Sequence, residues 1–237
     1  MRILITICAR GGSKGIQGKN IRLMNNRPLI LYTIEIANAF VQKYGGDISL
    51  STDDKEIKQI AETFGLRTQY QRPNHLATDG TGKLQVIEDL LVYEELRKKI
   101  KYDYILDLDV SSPLRNLSDL TAAFELISND LKALNLFSVN PANRNPYFNM
   151  VEQQANGYFG LVKTGLFLTR QSAPKVYDLN ASFYFYRRAF FEKDDKITIN
   201  DRSLIYEMRH ICFDLDHLID FEFMEYLILN NKLDFEL

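Results

Sequence analysis

The sequence predicts an α/β protein built on a mainly parallel sheet flanked by helices. Two patterns and a loop point to it. Short apolar runs alternate with amphipathic helical stretches from Ile3 to Val139, as successive strand–helix–strand units require. The first run, Ile3 to Cys8, is rich in β-branched residues and apolar on both faces, which suits a strand buried inside a parallel sheet. It leads directly into a loop holding Gly11, Gly12, Gly15 and Gly18 with Arg10, Lys14 and Lys19, and no acidic residue precedes Glu35. Such a loop at the carboxyl end of a first strand is where open α/β sheets hold phosphate-bearing ligands. The alternative is a surface turn whose cations face water.

Pro28 lies near the first turn of a helix through Ile30, Ile34, Ala37 and Val41, which Gly45-Gly46 terminate. Asp47 to Leu50 reads as a second strand. Its ending, Ser51-Thr52-Asp53-Asp54, supplies an N-cap for a helix from Lys55 to Phe64. Leu66 to Tyr70 reads as a weaker third strand. Gln71 to Gly82 carries the turn formers Pro73, Asn74, Asp79, Gly80 and Gly82. A helix from Lys83 to Ile100 follows, apolar at Leu84, Ile87, Leu91 and Leu96. Tyr104 to Leu108 is the next buried strand, Ser118 is placed to cap a helix running to Ile127, and Leu134 to Val139 is another strand. From Asn140 to Asn180 the pattern becomes irregular, with a hairpin expected from Phe148–Gln153 and Tyr158–Val162 around Asn156-Gly157. Gln171 to Leu179 reads as loop. Ala181 to Tyr186 is a strand with Phe183 and Phe185 on one face and Tyr184 and Tyr186 on the other. Ile211 to Leu215 is read as the last strand and Ile219 to Leu229 as the last helix.

With 237 residues, no repeat and no Pro/Gly/Ser-rich linker, the chain reads as one domain, 1–237, with an insert around 140–180. A net charge of −2 gives no global field for nucleic acid, so the basic character of the first loop is local. Cys8 and Cys212 sit in apolar runs and read as reduced and buried, which with the absence of a signal peptide or a spanning apolar window points to the cytoplasm.

The glycine loop is no Walker A motif, since Ser13 stands where a glycine is needed and Asn20 follows Lys19. Nor is it the dinucleotide fingerprint, because Gly12, Gly15 and Gly18 are spaced by three. Instead, Ala9-Arg10-Gly11-Gly12-Ser13-Lys14-Gly15 with Lys19-Asn20 resembles the signature loop of the CMP-sialic acid synthetases, cytidylyltransferases that activate nonulosonic acids. Further resemblances follow in that family's order: Ser51-Thr52-Asp53, Arg72-Pro73 with Leu76-Ala77 and Asp79, Ser112-Pro113-Leu114-Arg115, Arg170-Gln171 with Pro174, Tyr177 and Asn180-Ala181, and Phe213-Asp214-Leu215-Asp216.

The resemblance implies a Rossmann-like nucleotidyltransferase fold, CTP and a nonulosonic acid as substrates, and a homodimer whose arm is the 140–180 insert. By the same resemblance Ala9, Arg10, Ser13, Lys14, Lys19, Asn20, Arg72, Thr81 and Lys83 bind the nucleotide, and Arg10 and Lys19 neutralise the charge that builds at the phosphates. The alternative reading of Lys83 is a solvated helix start. Asp109, Arg170, Gln171 and Asn180 face the sugar, with Arg170, unless it is a plain surface cation, pairing its carboxylate. Asp214 and Asp216, at i and i+2, present two hard carboxylates for Mg²⁺; without the resemblance they would read as a solvated strand end. No general base stands out, Asp216 or a hydroxide on the metal being the guess. Asp109 stands where the family usually has glutamine, which exchanges an amide for an acceptor-only carboxylate and makes Asp109 a lesser candidate for a metal ligand. Asn145-Pro146-Tyr147-Phe148 lacks the histidine and lysine of the sialic-acid enzymes. Both departures point toward a modified sugar such as legionaminic acid. The alternatives are an eight-carbon ulosonic acid as substrate, or a silent sugar-nucleotide-binding protein.

Overall fold

The computed structural model describes residues 1–194 and 196–237. In chain order the strands are β1 (Ile3–Cys8), β2 (Leu23–Met24), β3 (Arg27–Pro28), β4 (Asp47–Ser51), β5 (Tyr104–Leu108), β6 (Asn135–Pro141), β7 (Val151–Gln153), β8 (Phe159–Leu161), β9 (Tyr177–Arg187) and β10 (Ser203–Glu207). The helices are α1 (Leu29–Tyr44), α2 (Lys55–Thr63), α3 (Lys83–Lys98), α4 (Leu117–Asn129) and α5 (Leu218–Leu229). Six strands form the main sheet in the order β10-β6-β9-β5-β1-β4. Four of them, β4, β1, β5 and β6, run parallel, with β10 parallel to β6, while β9 runs antiparallel between β5 and β6. The expected mainly parallel α/β fold is therefore present, with one reversed strand near its middle.

Helices cover both faces. Ile3, Ile5 and Ile7 of β1 face a core shared with α1, α4, Phe183 and Phe185. Leu4 faces the other, with Ile87 and Leu91 of α3, Tyr102, Ile105 and Tyr186. Each of these fully buried aliphatic side chains contributes roughly 1.5–3 kcal/mol. Beyond Leu4 and Ile105 the α3 face turns polar: Thr6 and Asp107 are buried there, joined by a 2.8 Å hydrogen bond.

The reversal of β9 fixes where the insert emerges. The chain leaves the sheet at the carboxyl end of β6, forms the β7–β8 hairpin and re-enters at Tyr177. The insert therefore rises from the edge on which the first loop, Ser51–Asp54 and Asp109–Arg115 also lie. The hairpin turns at Gly157, φ +83°, a conformation glycine adopts without strain.

Four expected elements differ. Leu66–Tyr70 is not a strand, because β4 is already the sheet edge and no strand pairs beyond it. The cap of α4 is Asn116, in a reciprocal capping box with Asp119, and Ser118 only donates to the Asn116 side chain. β9 begins at Tyr177, inside the stretch read as loop. Ile211–Leu215 is not a strand, since β10, which has no counterpart in the sequence reading, takes the place beside β6.

Candidate active site

The first loop is shaped by what surrounds it. Ala9 N–H donates to Ser51 O at 2.9 Å, carrying the β1–β4 ladder one residue further. Gly11 N–H donates to Asp53 Oδ1 at 3.1 Å. Gly15 packs so closely on the segment after Cys212 that a Cβ there would lie 2.0 Å from Asp216 O. Lys19 Nζ donates to Leu215 O at 2.5 Å, and Leu215 N–H donates to Ser111 O at 2.9 Å. Asn20 Nδ2 donates to Arg10 O at 2.9 Å, holding the loop's two ends together.

Above this loop lies an open cavity of about 310 Å³ lined by Arg10, Ser13, Lys19, Asn20, Arg72, Thr81, Lys83 and Asp109 among others. All but Asp109, expected on the sugar side, are expected nucleotide-side residues, and the set is brought together from three segments of the chain. Ala9 is buried beneath them, and Lys14 projects to solvent at the rim. Arg72 is buried, donating to Ser51 Oγ at 2.9 Å and Ser51 O at 2.8 Å, so its guanidinium is fixed before any ligand arrives. Thr81 Oγ1 donates to His75 O at 3.0 Å. Arg10 and Lys14 are both engaged by Asp79, at 2.6 and 2.5 Å. The ammonium of Lys14 and the guanidinium of Arg10 hold the Asp79 carboxyl below its ordinary range.

At the cavity floor Lys83 Nζ lies 2.7 Å from Asp107 Oδ2 and 2.6 Å from Asp109 Oδ2. It is therefore no solvated helix start. Burial opposes its charge, but Asp107 and Asp109 outweigh it and hold the ammonium well above the usual lysine range. Burial works against the charge of Asp109, which is only partly exposed, but Lys83 and Ser111 outweigh it and bring its carboxyl down to about 2. Ser111, Cys8 and Thr78 also line the cavity without having been singled out in the sequence; for Ser111 the signal was its place two residues beyond Asp109. Burial, then Asp107, pushes the Cys8 thiol up, leaving it unreactive.

Asp214 and Asp216 flank fully buried Leu215 beside this cavity. The segment is outside the sheet, yet the alternation that turns both carboxylates away from the core survives. Burial, then the charge of Asp216, raises the Asp214 carboxyl. Among the described residues no cluster of three or more His, Cys, Asp or Glu forms a complete metal cage.

The sugar-side residues divide. Asp109 lines the cavity. Arg170 and Gln171 do not: they are exposed on the insert and border a separate cavity with Pro141, Asn145 and Tyr177, where Arg170 donates to Asn143 O and Ala142 O. Asn180 is buried at a bulge in β9, where Ala181 has φ +59°. Its side chain accepts from Ser138 Oγ at 2.6 Å and donates to Asn140 Oδ1 at 2.6 Å. Its amide is spent in stapling the bulge, and it does not reach the cavity.

A mainly parallel sheet with a glycine–cation loop at its carboxyl edge, and fixed guanidinium and ammonium groups above paired acids, defines a nucleotidyltransferase. Residues 4–234 match the cytidylyltransferase family, and the chain belongs to it. A CMP-N,N'-diacetyllegionaminic acid synthase of Campylobacter jejuni is 42% identical over 227 residues, covering 95% of this chain and 94% of that protein. A post-translational flagellin modification protein B of Campylobacter coli is 41% identical over 232 residues, covering 98% and 97%. Among solved structures, a CMP:2-keto-3-deoxy-manno-octonic acid synthetase complexed with CTP shares the fold, with a TM-score of 0.70 at 16% identity over 98% of this chain and 100% of that one.

Proposed function

We propose that this cytidylyltransferase couples CTP to a nonulosonic acid, with the legionaminic type preferred to the sialic type and to eight-carbon acids, and releases pyrophosphate. The observation that carries this is the convergence of Arg10, Ser13, Lys19, Asn20 and Arg72 on one cavity beside Asp214 and Asp216. The sugar class is supported by the name of the 42% identical relative and by Asp109 in place of glutamine. In this reading the anomeric hydroxyl attacks the α-phosphate. Arg10, released from Asp79, and Lys19 neutralise the charge that develops on the phosphates.

The acids present fit Mg²⁺. Asp214 and Asp216 are hard oxygen donors; burial, then the charge of Asp216, raises the Asp214 carboxyl, and a dication would offset both. When bound, the metal would polarise phosphate oxygens and align the substrates. In this reading Asp216 also serves as the base that takes the proton of the attacking hydroxyl. The chain functions as one domain, 1–237, in the cytoplasm, as a homodimer. Support for the dimer is the apolar surface of the insert, where Tyr158 is 77%, Phe159 69% and Leu168 92% exposed.

The test is pyrophosphate release from CTP and Mg²⁺ with N,N'-diacetyllegionaminic acid, N-acetylneuraminic acid and 2-keto-3-deoxy-octonic acid in parallel. Release with the first acid fastest is expected. Faster turnover of N-acetylneuraminic acid overturns the sugar preference, and release with none of the three overturns the reading.

A further inference from the structure

We infer that Lys83 receives an oxyanion of the reacting substrates where two cavities meet, and that Asp107 is the residue that positions it. This rests on the nucleotide-site reading of the larger cavity. Lys83 borders that cavity and also a second one of about 360 Å³, lined by Gly82, Gln85, Tyr184, Tyr186, Lys196 and Thr198. Its ammonium thus stands in the wall between the nucleotide and the adjoining space.

The hydrogen bonding leaves Lys83 one open direction. Asp107 Oδ1 accepts from Thr6 Oγ1 at 2.8 Å, and Asp109 Oδ1 accepts from Ser111 N–H and Oγ, both at 2.8 Å. The remaining oxygen of each carboxylate faces Lys83 Nζ. Three of the four carboxylate oxygens accept a hydrogen bond from the protein, and the fourth, buried Asp107 Oδ2, meets Lys83 Nζ at 2.7 Å as an ion pair without one. The ammonium has three hydrogens. One is donated to Asp109 Oδ2, Asp107 Oδ2 lies 2.7 Å away as an ion pair, and no other described oxygen accepts from Nζ; the Tyr184 ring lies 5.5 Å from it. A partly buried donor without an acceptor, open to a cavity, is a seat for an oxygen ligand.

Charge favours an anion there. Two carboxylates against one ammonium would repel one, but Arg115 lies beneath. It is 2% exposed and donates to Asp109 O at 3.0 Å, Ser112 O at 2.6 Å and Ser182 O at 2.8 Å, with no ion pair of its own among the described residues. Its charge counters Asp107 and Asp109 from below, and Arg72 adds another cation on the Cys8 side. The ammonium is left for a ligand. Asp107 is wholly buried, and its Oδ2 takes no hydrogen bond from any described group, its ion pair with Lys83 being its contact; its work is to hold Lys83. Two oxyanions reach such a wall: the α-phosphate of the nucleotide and the carboxylate of the acid.

The test uses the full chain with Mg²⁺. Calorimetry gives the Kd for CTP alone, and pyrophosphate release with N,N'-diacetyllegionaminic acid gives kcat and both KM values. Lys83→Met lowers kcat/KM about 100-fold, the scale of losing one charged donor. A raised KM for the acid with the CTP Kd unchanged assigns the carboxylate; a weakened CTP Kd assigns the α-phosphate. Lys83→Arg, which keeps the charge, recovers part of the loss. Asp107→Asn shifts the same constant as Lys83→Met, in the same direction and to a smaller extent; turnover and binding unchanged in Asp107→Asn overturn the positioning role. Turnover by Lys83→Met within about twofold of wild type, or Lys83→Arg no better than Lys83→Met, overturns the inference. If Lys83→Met does not fold, the charge-balanced Lys83→Met/Asp109→Asn chain is read against Asp109→Asn by the same criteria. If wild type binds no CTP, the nucleotide-site reading fails rather than the role of Lys83.

Discussion

Replacing Gly15 by alanine tests how tightly the phosphate loop is built against the acidic segment. The added Cβ would sit 2.0 Å from the backbone oxygen of Asp216, where ordinary contact begins at 3.4 Å. One side must yield by about 1.4 Å, and what it meets is backbone rather than the end of a flexible side chain. The loop is tied to the same segment by the bond from Lys19 to Leu215 O, so the displacement spreads to Lys19 and to Asp214 and Asp216. Shifts near 1 Å at positioned groups cost on the order of 100-fold in rate, and overpacking costs about 2 kcal/mol of stability. Gly15→Ala is therefore expected to lose about 100-fold in kcat/KM for pyrophosphate release and several degrees in melting temperature. Gly12→Ala, whose Cβ would meet nothing within 4 Å, is expected to keep its melting temperature. A Gly15→Ala chain retaining half or more of wild-type kcat/KM would refute the packing argument.

Arg115→Met strips donors from Asp109 O, Ser112 O, Ser182 O and Thr33 Oγ1 and should cost about 3 kcal/mol, seen as a lowered urea midpoint at constant slope. The His210 side chain is buried against Phe235, with Nε2 at 2.8 Å from Asp119 Oδ2. Burial opposes its charge, but Asp119 and Ile211 O outweigh it, so its folded pKa is raised. The folded state then holds the proton more tightly, and stability relative to His210→Gln is full below about pH 6.5 and fades as pH rises through the folded pKa; chemical denaturation across that range reads it, and a difference that grows with pH would contradict it. Asp216→Asn should raise the Mg²⁺ concentration needed for half-maximal turnover about tenfold; full turnover at limiting Mg²⁺ would remove Asp216 from the metal site.

Much of the fold was legible because it is local. β1 and the first loop declare themselves in twenty consecutive residues, Met1 to Asn20, and the helices follow from apolar spacing. What the sequence could not reveal depends on neighbours. The run Ala181–Tyr186 has the same apolar character whether its strand runs up or down, and only pairing with β5 and β6 sets its direction. Ile211–Leu215 has a strand's composition but no edge to join once β10 lies beside β6. The residues read for the nucleotide side meet at one cavity because their cations cluster in short motifs. Asn180 lies away from it, its amide bonded to Ser138 and Asn140, and an amide that staples a bulge and one that binds a sugar look alike in sequence. Lys83 acquires its meaning only from Asp107 and Asp109, which reach it from another strand.

The carboxylate of Asp79 across Arg10 and Lys14 makes the empty loop a threshold device. The two cations are already paired, so a lone phosphate or sulfate that displaced Asp79 would trade one anion for another and gain little. On the function proposed above, a triphosphate would bring enough charge to engage Arg10, Lys14 and Lys19 together and free Asp79. The loop would then answer chiefly to a polyanion, its discrimination set by an acidic residue rather than by the number of its positive ones.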